Sequence, residues 1–396
     1  MEKYLQIKKI GKVITGKTPS TEDTSNFGGK YPFITPSDIK SFDEKYLLET
    51  ERTLSEEGAK KLKNNILPKD TICFVCIGST IGKMCLTNTI AYSNQQINSL
   101  IVNNNFDAHY MFYFLRYVKS YFKQLGAGTG SGKGIVNKTT FEKSKVKVET
   151  NKDVQVKMAN ILSAYDNLIE NNKKRIRFLE QMAENLYKEW FVRFRFPGYE
   201  GMEFEEKKPR GWQVGIEEKK HFVPSIFKYD EFGKIGSFVR GKNITLAKMI
   251  EGNIPVISAG IQPSGFHNEA NIYGTSLTIS ASGANAGYLQ YHMNDIWAAD
   301  CSYYQDDTKI WFVYNTLKYL QPVISNLQCG AAQPHVYPKN INKLCVLIPT
   351  EELIHKYNNF VTTYYEEIKI LTQHNQLLTR QRDMLLPRLM SGKLEV

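Results

Sequence analysis

The chain has 396 residues, enough for two ordinary domains with connectors, and its 42% hydrophobic content suits a globular protein in water. No apolar run approaches the ~18 residues a membrane helix needs, and the opening MEKYLQIKKIGK lacks the apolar core of a secretory signal. Six cysteines without framework spacing read as reduced cytoplasmic thiols, and a net charge of +11, with most of the surplus in residues 1–150, suits a polyanionic partner.

Residues 1–150 alternate short β-rich runs with Gly/Asn/Ser turns: YPFIT (31–35), TICFVCI (71–77), INSLIV (97–102) and KSKVKVE (143–149). The C-x-x-C pair Cys73 and Cys76 has an apolar interior and no second pair or histidine cluster beside it, so it reads as two thiols in a buried strand rather than a zinc or redox site. One helical stretch, 109–125, leads into LGAGTGSGKGIVNK (125–138), which looks like a phosphate cradle. As a P-loop it fails twice: Ala127 stands where the first glycine belongs, and Gly134 follows the lysine where a hydroxyl is required. As a methyl-donor turn it is preceded by a helix instead of a strand, and the chain contains no Pro-Pro pair for an amine-methylating motif. The spacing favours a loop whose amides and Lys133 approach DNA.

A long helical pattern over 152–195 follows, closed by Pro197, and FPGYEGMEFEEKKPRGW (196–212) reads as a linker. Then the chain repeats itself. IGKVITGK (10–17) returns as IGSFVRGK (235–242), YPFITPSDI (31–39) as IPVISAGI (254–261), GSTIGK (78–83) as GANAGY (283–288), and VNKTTFEKSKVKV (136–148) as VYPKNINKLCVLI (336–348). Four matches in one order indicate a duplicated α+β unit of about 150 residues. In the second copy the counterpart of the glycine loop, LQCGAAQPHVY, has neither its glycine pattern nor its lysine, which argues further against a cofactor there. Asp300, Asp306 and Asp307 read as turn residues, the seven histidines fall in no ligand spacing, and no nucleophile elbow or triad is present. No cofactor, metal or catalytic residue is expected.

A second helical pattern runs over 351–386, with Pro387 expected to break it. Its positions Val361, Tyr364, Ile368, Leu371, Asn375, Leu378, Arg382 and Leu385 alternate by three and four, and a shift of 199 maps them onto Leu162, Tyr165, Ile169, Asn172, Ile176, Leu179, Ala183 and Leu186. Both are heptad seams. A parallel pair would set Asn172 against Leu371 and Asn375 against Ile176, burying two orphan amides at roughly 1–3 kcal/mol each. An antiparallel pair brings Asn172 to Asn375, Ala183 to Tyr364 and Arg382 to Tyr165, the last a cation–π contact. The step from 162 to 186 then spans ~36 Å, close to the ~34–36 Å between readers of one DNA face. The expectation is a rod with one domain at each end, related by a pseudo-twofold axis.

The whole chain resembles the specificity subunit of type I restriction–modification systems. The resemblance is carried by NILSAYDNLIENNKKRIRFLEQMAENLYKEWFVRF (160–194), PRGW (209–212), GAAQPHV (330–336) and above all RDMLLPRLMSGKLEV (382–396). IPT (348–350) and VETNKD (148–153) depart from the family's proline-rich approach to each helix. The resemblance implies an α+β protein with two similar mixed α/β target-recognition domains, each followed by a long helix, the two helices packed as an antiparallel coiled coil. The boundaries expected are recognition domain 1 at 1–150, spacer helix at 151–198, recognition domain 2 at 199–350, and helix with C-terminal tail at 351–396. It also implies a non-catalytic reader of double-stranded DNA with a bipartite asymmetric site. Its partners would be two adenine-methylating modification subunits, and a restriction/translocase subunit could join them.

Polar loop positions in corresponding places of both copies are the candidate DNA contacts: Lys17 and Lys242; Thr35 and Ser258; Ser79, Thr80 and Lys83 with Asn285 and Tyr288; Lys133 with Gln333 and His335. Amides and hydroxyls suit base edges, lysines suit phosphates. The alternatives are the recognition portion of a fused restriction–methylation enzyme, a stand-alone adenine DNA methyltransferase, and a coiled-coil scaffold without DNA.

Overall fold

The computed structural model describes residues 2–42, 44–47, 49–127, 134–209, 221–329 and 334–396. They form two compact units: Met1–Asn172 with Gln373–Val396, and Lys173–Thr372.

In the first unit four strands make an antiparallel sheet in the order Gly11–Thr15, Ile97–Val102, Ile72–Val75, Met84–Leu86. All four residues of Ile72–Val75 are buried, as befits an apolar run in a strand covered on both faces. A smaller sheet orders Arg52–Leu54, Phe27–Ile34 and Tyr92–Ser93, the last pair parallel. Glu2–Gln6 pairs with Lys145–Glu149. The second unit repeats this plan. Its larger sheet orders Val239–Arg240, Cys301–Tyr304, Ser276–Ser280 and Leu289–His292, and its smaller one Gly265–His267, Ile254–Ile257 and Trp297–Ala298, again with a parallel last pair. Lys228–Glu231 pairs with Cys345–Ile348. Duplication in sequence is therefore duplication in topology.

The helical stretch of the first copy is two helices, Ala108–Tyr117 and Lys119–Ala127, with a break at Val118. The first buries Tyr110 through Arg116 without interruption, because it lies in the core of its domain. Its counterpart Ile310–Tyr319 buries Ile310 through Leu317. Each is tied to a long helix by an amide. Gln155 Oε1 accepts from the Asp107 amide at 2.7 Å, and Asn358 Oδ1 accepts from the Trp311 amide at 2.9 Å.

The long helices are Lys152–Tyr187 and Glu351–Met390, about 54 and 60 Å at 1.5 Å per residue. Side chains cap their starts: Asn151 Oδ1 accepts from the Asp153 amide at 2.9 Å, and Thr350 Oγ1 from the Leu353 amide at 3.3 Å. The first helix ends in a π turn, Lys188–Val192, rather than running to 195. The second does not break at Pro387. It continues to Met390, since a proline forfeits one amide bond and the buried Leu389 and Met390 hold the last turn in the core of the first unit. Gly392, at φ +70°, ends it.

Within each unit the two helices run antiparallel. In the first, Asn172 Nδ2 donates to Asn375 Oδ1 at 3.0 Å and Arg382 reaches Asp166. In the second, Arg175 Nη2 lies 2.6 Å from Glu367 Oε1, and the Tyr357 hydroxyl donates to the Ala183 carbonyl at 2.9 Å. All sixteen expected seam positions are buried or half-buried. One expected contact is different. Arg382 pairs with the Asp166 carboxylate rather than with the Tyr165 ring, since a buried guanidinium gains more from a carboxylate than from a quadrupole. Tyr364, expected against Ala183, is half-buried and packs on the core cluster that holds Ala183, and its neighbour Tyr365 lies within that cluster, 1% exposed.

Candidate nucleic-acid interface

In each domain four loops meet at one end of the larger sheet, and backbone bonds fix them there. In the first, the Gly16 amide donates to the Ile97 carbonyl and the Lys17 amide to that of Ser93. The Asn94 amide donates to Ile34, the Cys76 amide to Gln96, the Val136 amide to Cys76 and the Gly78 amide to Gly134. The second domain repeats the scheme: Gly241 to Cys301, Lys242 to Ala298, Ala299 to Ile257, Ala281 to Asp300, Val336 to Ala281 and Gly283 to Pro334. Lys17, Thr35, Ser79 and Thr80 thus gather at one sheet end, as do Lys242, Ser258, Asn285 and His335. Lys133 and Gln333 lie outside the described residues.

Glycine makes this frame possible at two places. A Cβ on Gly16 would stand 2.2 Å from the Ser93 and Asn94 oxygens, and one on Gly241 2.5 and 2.7 Å from those of Ala299 and Ala298. The following lysine is therefore held against the neighbouring strand and is exposed in both copies. The turns GSTIGK and GANAGY both begin and end in the left-handed region, with φ of +65° and +89° at Gly78 and Gly82, and +76° and +89° at Gly283 and Gly287. They lift Ser79 into solvent and leave Asn285 half-buried and Tyr288 41% exposed.

Several candidates are engaged inside the protein. The Thr35 hydroxyl donates to Asp38 Oδ2 at 2.6 Å, and that oxygen also takes the Thr35 amide at 2.7 Å. The Thr80 hydroxyl donates to the Ile77 carbonyl at 2.9 Å. Both oxygens keep acceptor capacity, so they suit a base amine better than a phosphate. Ser258 is half-buried just past its strand. His335 exchanges two 2.9 Å backbone bonds with Cys329 and stacks on Tyr337, ring centroids 5.9 Å apart.

Around the candidate Lys83 the structure gathers three residues that were not candidates, Phe42, Lys119 and Lys123. Lys83, Lys119 and Lys123 carry their ammonium groups 5.9, 5.1 and 4.3 Å from the Phe42 ring centroid, and Lys83 Nζ also donates to the Ile39 and Lys40 carbonyls at 3.1 and 3.2 Å. The i,i+4 spacing of Lys119 and Lys123 was the available signal. At the matching place the second domain has an open cleft lined by Glu180, Tyr288, Gln290, Tyr314, Lys318 and Gln321. The first domain is thus basic here and the second neutral, following the charge distribution along the chain.

The cysteine pair and the acidic residues have partners or burial inside the protein. Cys73 and Cys76 are buried on and beside one strand, and burial pushes the Cys76 thiol up to about 11. Asp300 takes Arg240 and the Ser282 hydroxyl, and Asp306 accepts from Thr308 in a turn. Among the described residues no group of three or more His, Cys, Asp or Glu side chains could hold a metal ion, and no helix is long and apolar enough to cross a membrane.

The chain matches the type I restriction modification DNA specificity domain over residues 2–181 and again over 226–380. It is 27% identical to the specificity subunit of the type I restriction enzyme MjaIX of Methanocaldococcus jannaschii, over 99% of this chain and 93% of that one. It is also 27% identical to the HindI specificity subunit of Haemophilus influenzae, over 43% of this chain and 37% of that one. Its fold is similar to the crystal structure of a type I restriction–modification S subunit from M. genitalium, with a TM-score of 0.59, 18% identity, and coverage of 98% of this chain and 96% of that one. The family's domain is matched twice, once on each of two duplicated units with the same sheet order and the same loop frame, and the chain belongs to the specificity subunits of type I restriction–modification systems.

Proposed function

We propose that the chain is the non-catalytic DNA reader of its complex. Each recognition domain, expected at 1–150 and 199–350, contacts a few base pairs through the loops at its sheet end, and the two together define a bipartite, asymmetric site in double-stranded DNA. The observation that supports this most directly is the shared frame with unlike side chains. Lys17 and Lys242 occupy matching places that suit phosphate, whereas Ser79, Thr80 and Lys83 in one copy correspond to Asn285 and Tyr288 in the other. The long helices and nearby surfaces dock two adenine-methylating modification subunits, and a restriction/translocase subunit completes the cytoplasmic assembly. Methyl transfer and cleavage belong to those partners.

Co-expression with a modification subunit in a methylation-free host, followed by mapping of N6-methyladenine, tests the reading. A split adenine motif is expected. Methylation by this chain alone, with a labelled methyl donor and no partner, would instead establish a stand-alone methyltransferase.

A further inference from the structure

The loop 241–252 of the second domain leaves the sheet end through Gly241 and Lys242 and is pinned along its length. The Lys242 carbonyl accepts from Trp297 Nε1 at 2.8 Å. Leu246–Lys248 form a 3-10 turn closed by the Lys248 amide on the Thr245 carbonyl at 2.9 Å. The Met249 sulfur lies over Gly265, where a Cβ would stand 2.9 Å away. The Ile250 amide donates to Nδ1 of the buried His267 at 3.0 Å, and that ring meets Trp297 edge-on at 5.0 Å. A Cβ on Gly252 would stand 2.4 Å from the His267 oxygen.

A loop held at so many points nevertheless shows water its apolar residues: Leu246 is 75% exposed and Ile250 61%. Exposed Lys242 and Lys248 flank the apex, and Glu251 is the loop's single acid. The matching loop of the first domain, entered through Gly16 and Lys17, exposes Thr21 and Glu22 instead, and its Asp23 pairs with Lys61 and caps a turn. The same frame therefore carries a polar, acidic apex in one reader and an apolar apex with a basic rim in the other.

Among the base edges of the major groove the thymine 5-methyl is the apolar group, and the phosphates on either side suit lysines. A pre-ordered apex has already lost the conformational freedom that binding would otherwise cost. We infer that Leu246 is a specificity-determining residue of the second domain, its side chain contacting a thymine methyl in the major groove while Lys242 and Lys248 hold the flanking phosphates. The inference rests on the DNA-recognition reading above.

Selection of a randomised duplex library by the full chain, with and without its modification subunit, tests it. Wild type selects a thymine at one position of one half-site. Leu246→Ala keeps every other preference and loses about fourfold at that position, the worth of one buried methyl. Deoxyuridine in place of that thymine costs wild type the same factor and costs Leu246→Ala nothing. The side chain is mostly in solvent, so the variant's melting curve stays that of wild type. Unchanged selection by Leu246→Ala, uniform weakening on all sequences, or indifference of wild type to deoxyuridine would each overturn the assignment and leave DNA recognition standing. Failure of wild type to enrich any sequence would remove the recognition reading itself, and this assignment with it.

Discussion

Arg382 is a long charged side chain sealed almost completely from water, and the surrounding groups account for that. Its guanidinium meets Asp166, itself 5% exposed, and Nε and Nη2 lie 2.9 and 2.8 Å from Asp383 Oδ1. The second Asp166 oxygen takes the Tyr113 hydroxyl, and Arg116 Nη2 stands 3.4 Å from Asp383. Burial works against the charge on Arg382, but the two carboxylates outweigh it and hold its pKa above the ordinary arginine value. Burial, reinforced by Asp166, pushes the Tyr113 hydroxyl well above the usual tyrosine range. Asp166→Ala leaves Arg382 with Asp383 alone and takes the acceptor from the Tyr113 hydroxyl, so it is expected to cost about 1–3 kcal/mol in denaturant unfolding, while Asp166→Leu with Arg382→Met recovers part of it. A loss below about 1 kcal/mol in the single variant would mean that the pair does not hold the structure.

His292, on an edge strand of the second unit, gives a pH dependence of defined sign. Burial depresses its pKa to about 4 from the ordinary 6.5, and Thr278 Oγ1 lies 2.8 Å from Nε2. Above pH 6.5 the ring is neutral folded and unfolded, and it contributes no pH dependence. Between 6.5 and about 4 only the unfolded chain takes up the proton, so stability falls as pH falls, by about 2 kcal/mol in total after allowance for the ring's partial exposure. His292→Gln should flatten the melting temperature of the second unit across this window. An equally steep profile in that variant would place the titrating group elsewhere.

At the scale of elements, the helix pair was the most legible part of the sequence, because a seam with a polar residue in each strand admits few arrangements. Asn172 and Asn375 allowed only one orientation in which each amide found a partner, and the 3.0 Å bond between them follows that logic. Asn172→Leu should destabilise the chain by about 1–3 kcal/mol in unfolding, and Asn172→Leu with Asn375→Leu should regain it, at the expense of register. A double variant as unstable as the single would show that the bond contributes little. Side-chain partners one position off the seam were not legible. Asp166 and Tyr365 each follow a seam position, and which of two adjacent residues turns inward depends on the partner's volume. Asp166 turns inward beside a long arginine, and Tyr365 turns inward to stack on Trp311, ring centroids 3.6 Å apart. The loops were legible as a repeat but not as contacts. Thr35 looks free in sequence, yet the buried Asp38 three residues later claims its hydroxyl and amide. The Phe42 cluster joins residues some forty and eighty positions apart, a separation that no local pattern reports.

For the whole molecule, the two helix seams share one repeat but have diverged into complementary partners. Positions 166 and 183 of the first helix correspond to 365 and 382 of the second under the same shift of 199. The first helix offers Asp166 and Ala183; the second offers Tyr365 and Arg382. Heterologous pairing unites Asp166 with Arg382 and Asn172 with Asn375. Two copies of the first helix, paired in the same register, would set Asp166 against Ala183 and Asn172 against Ile176. A buried carboxylate and a buried amide would be stranded at each symmetry-related place. Two copies of the second would force Arg382 against Tyr365 and Asn375 against Leu371. Orphaned amides cost roughly 1–3 kcal/mol each and an orphaned buried charge more, so self-pairing of either half falls short of cross-pairing by at least about thirtyfold in affinity, the worth of its two amides alone. Fragments 1–198 and 199–396, produced separately and mixed, should therefore form a one-to-one complex in light scattering at micromolar concentration. A stable homodimer of fragment 1–198 would show that the seam tolerates its own image. Exchanging the charges with Asp166→Arg and Arg382→Asp tests the same geometry in reverse: each single change should weaken the mixed complex, and the two together should restore part of it.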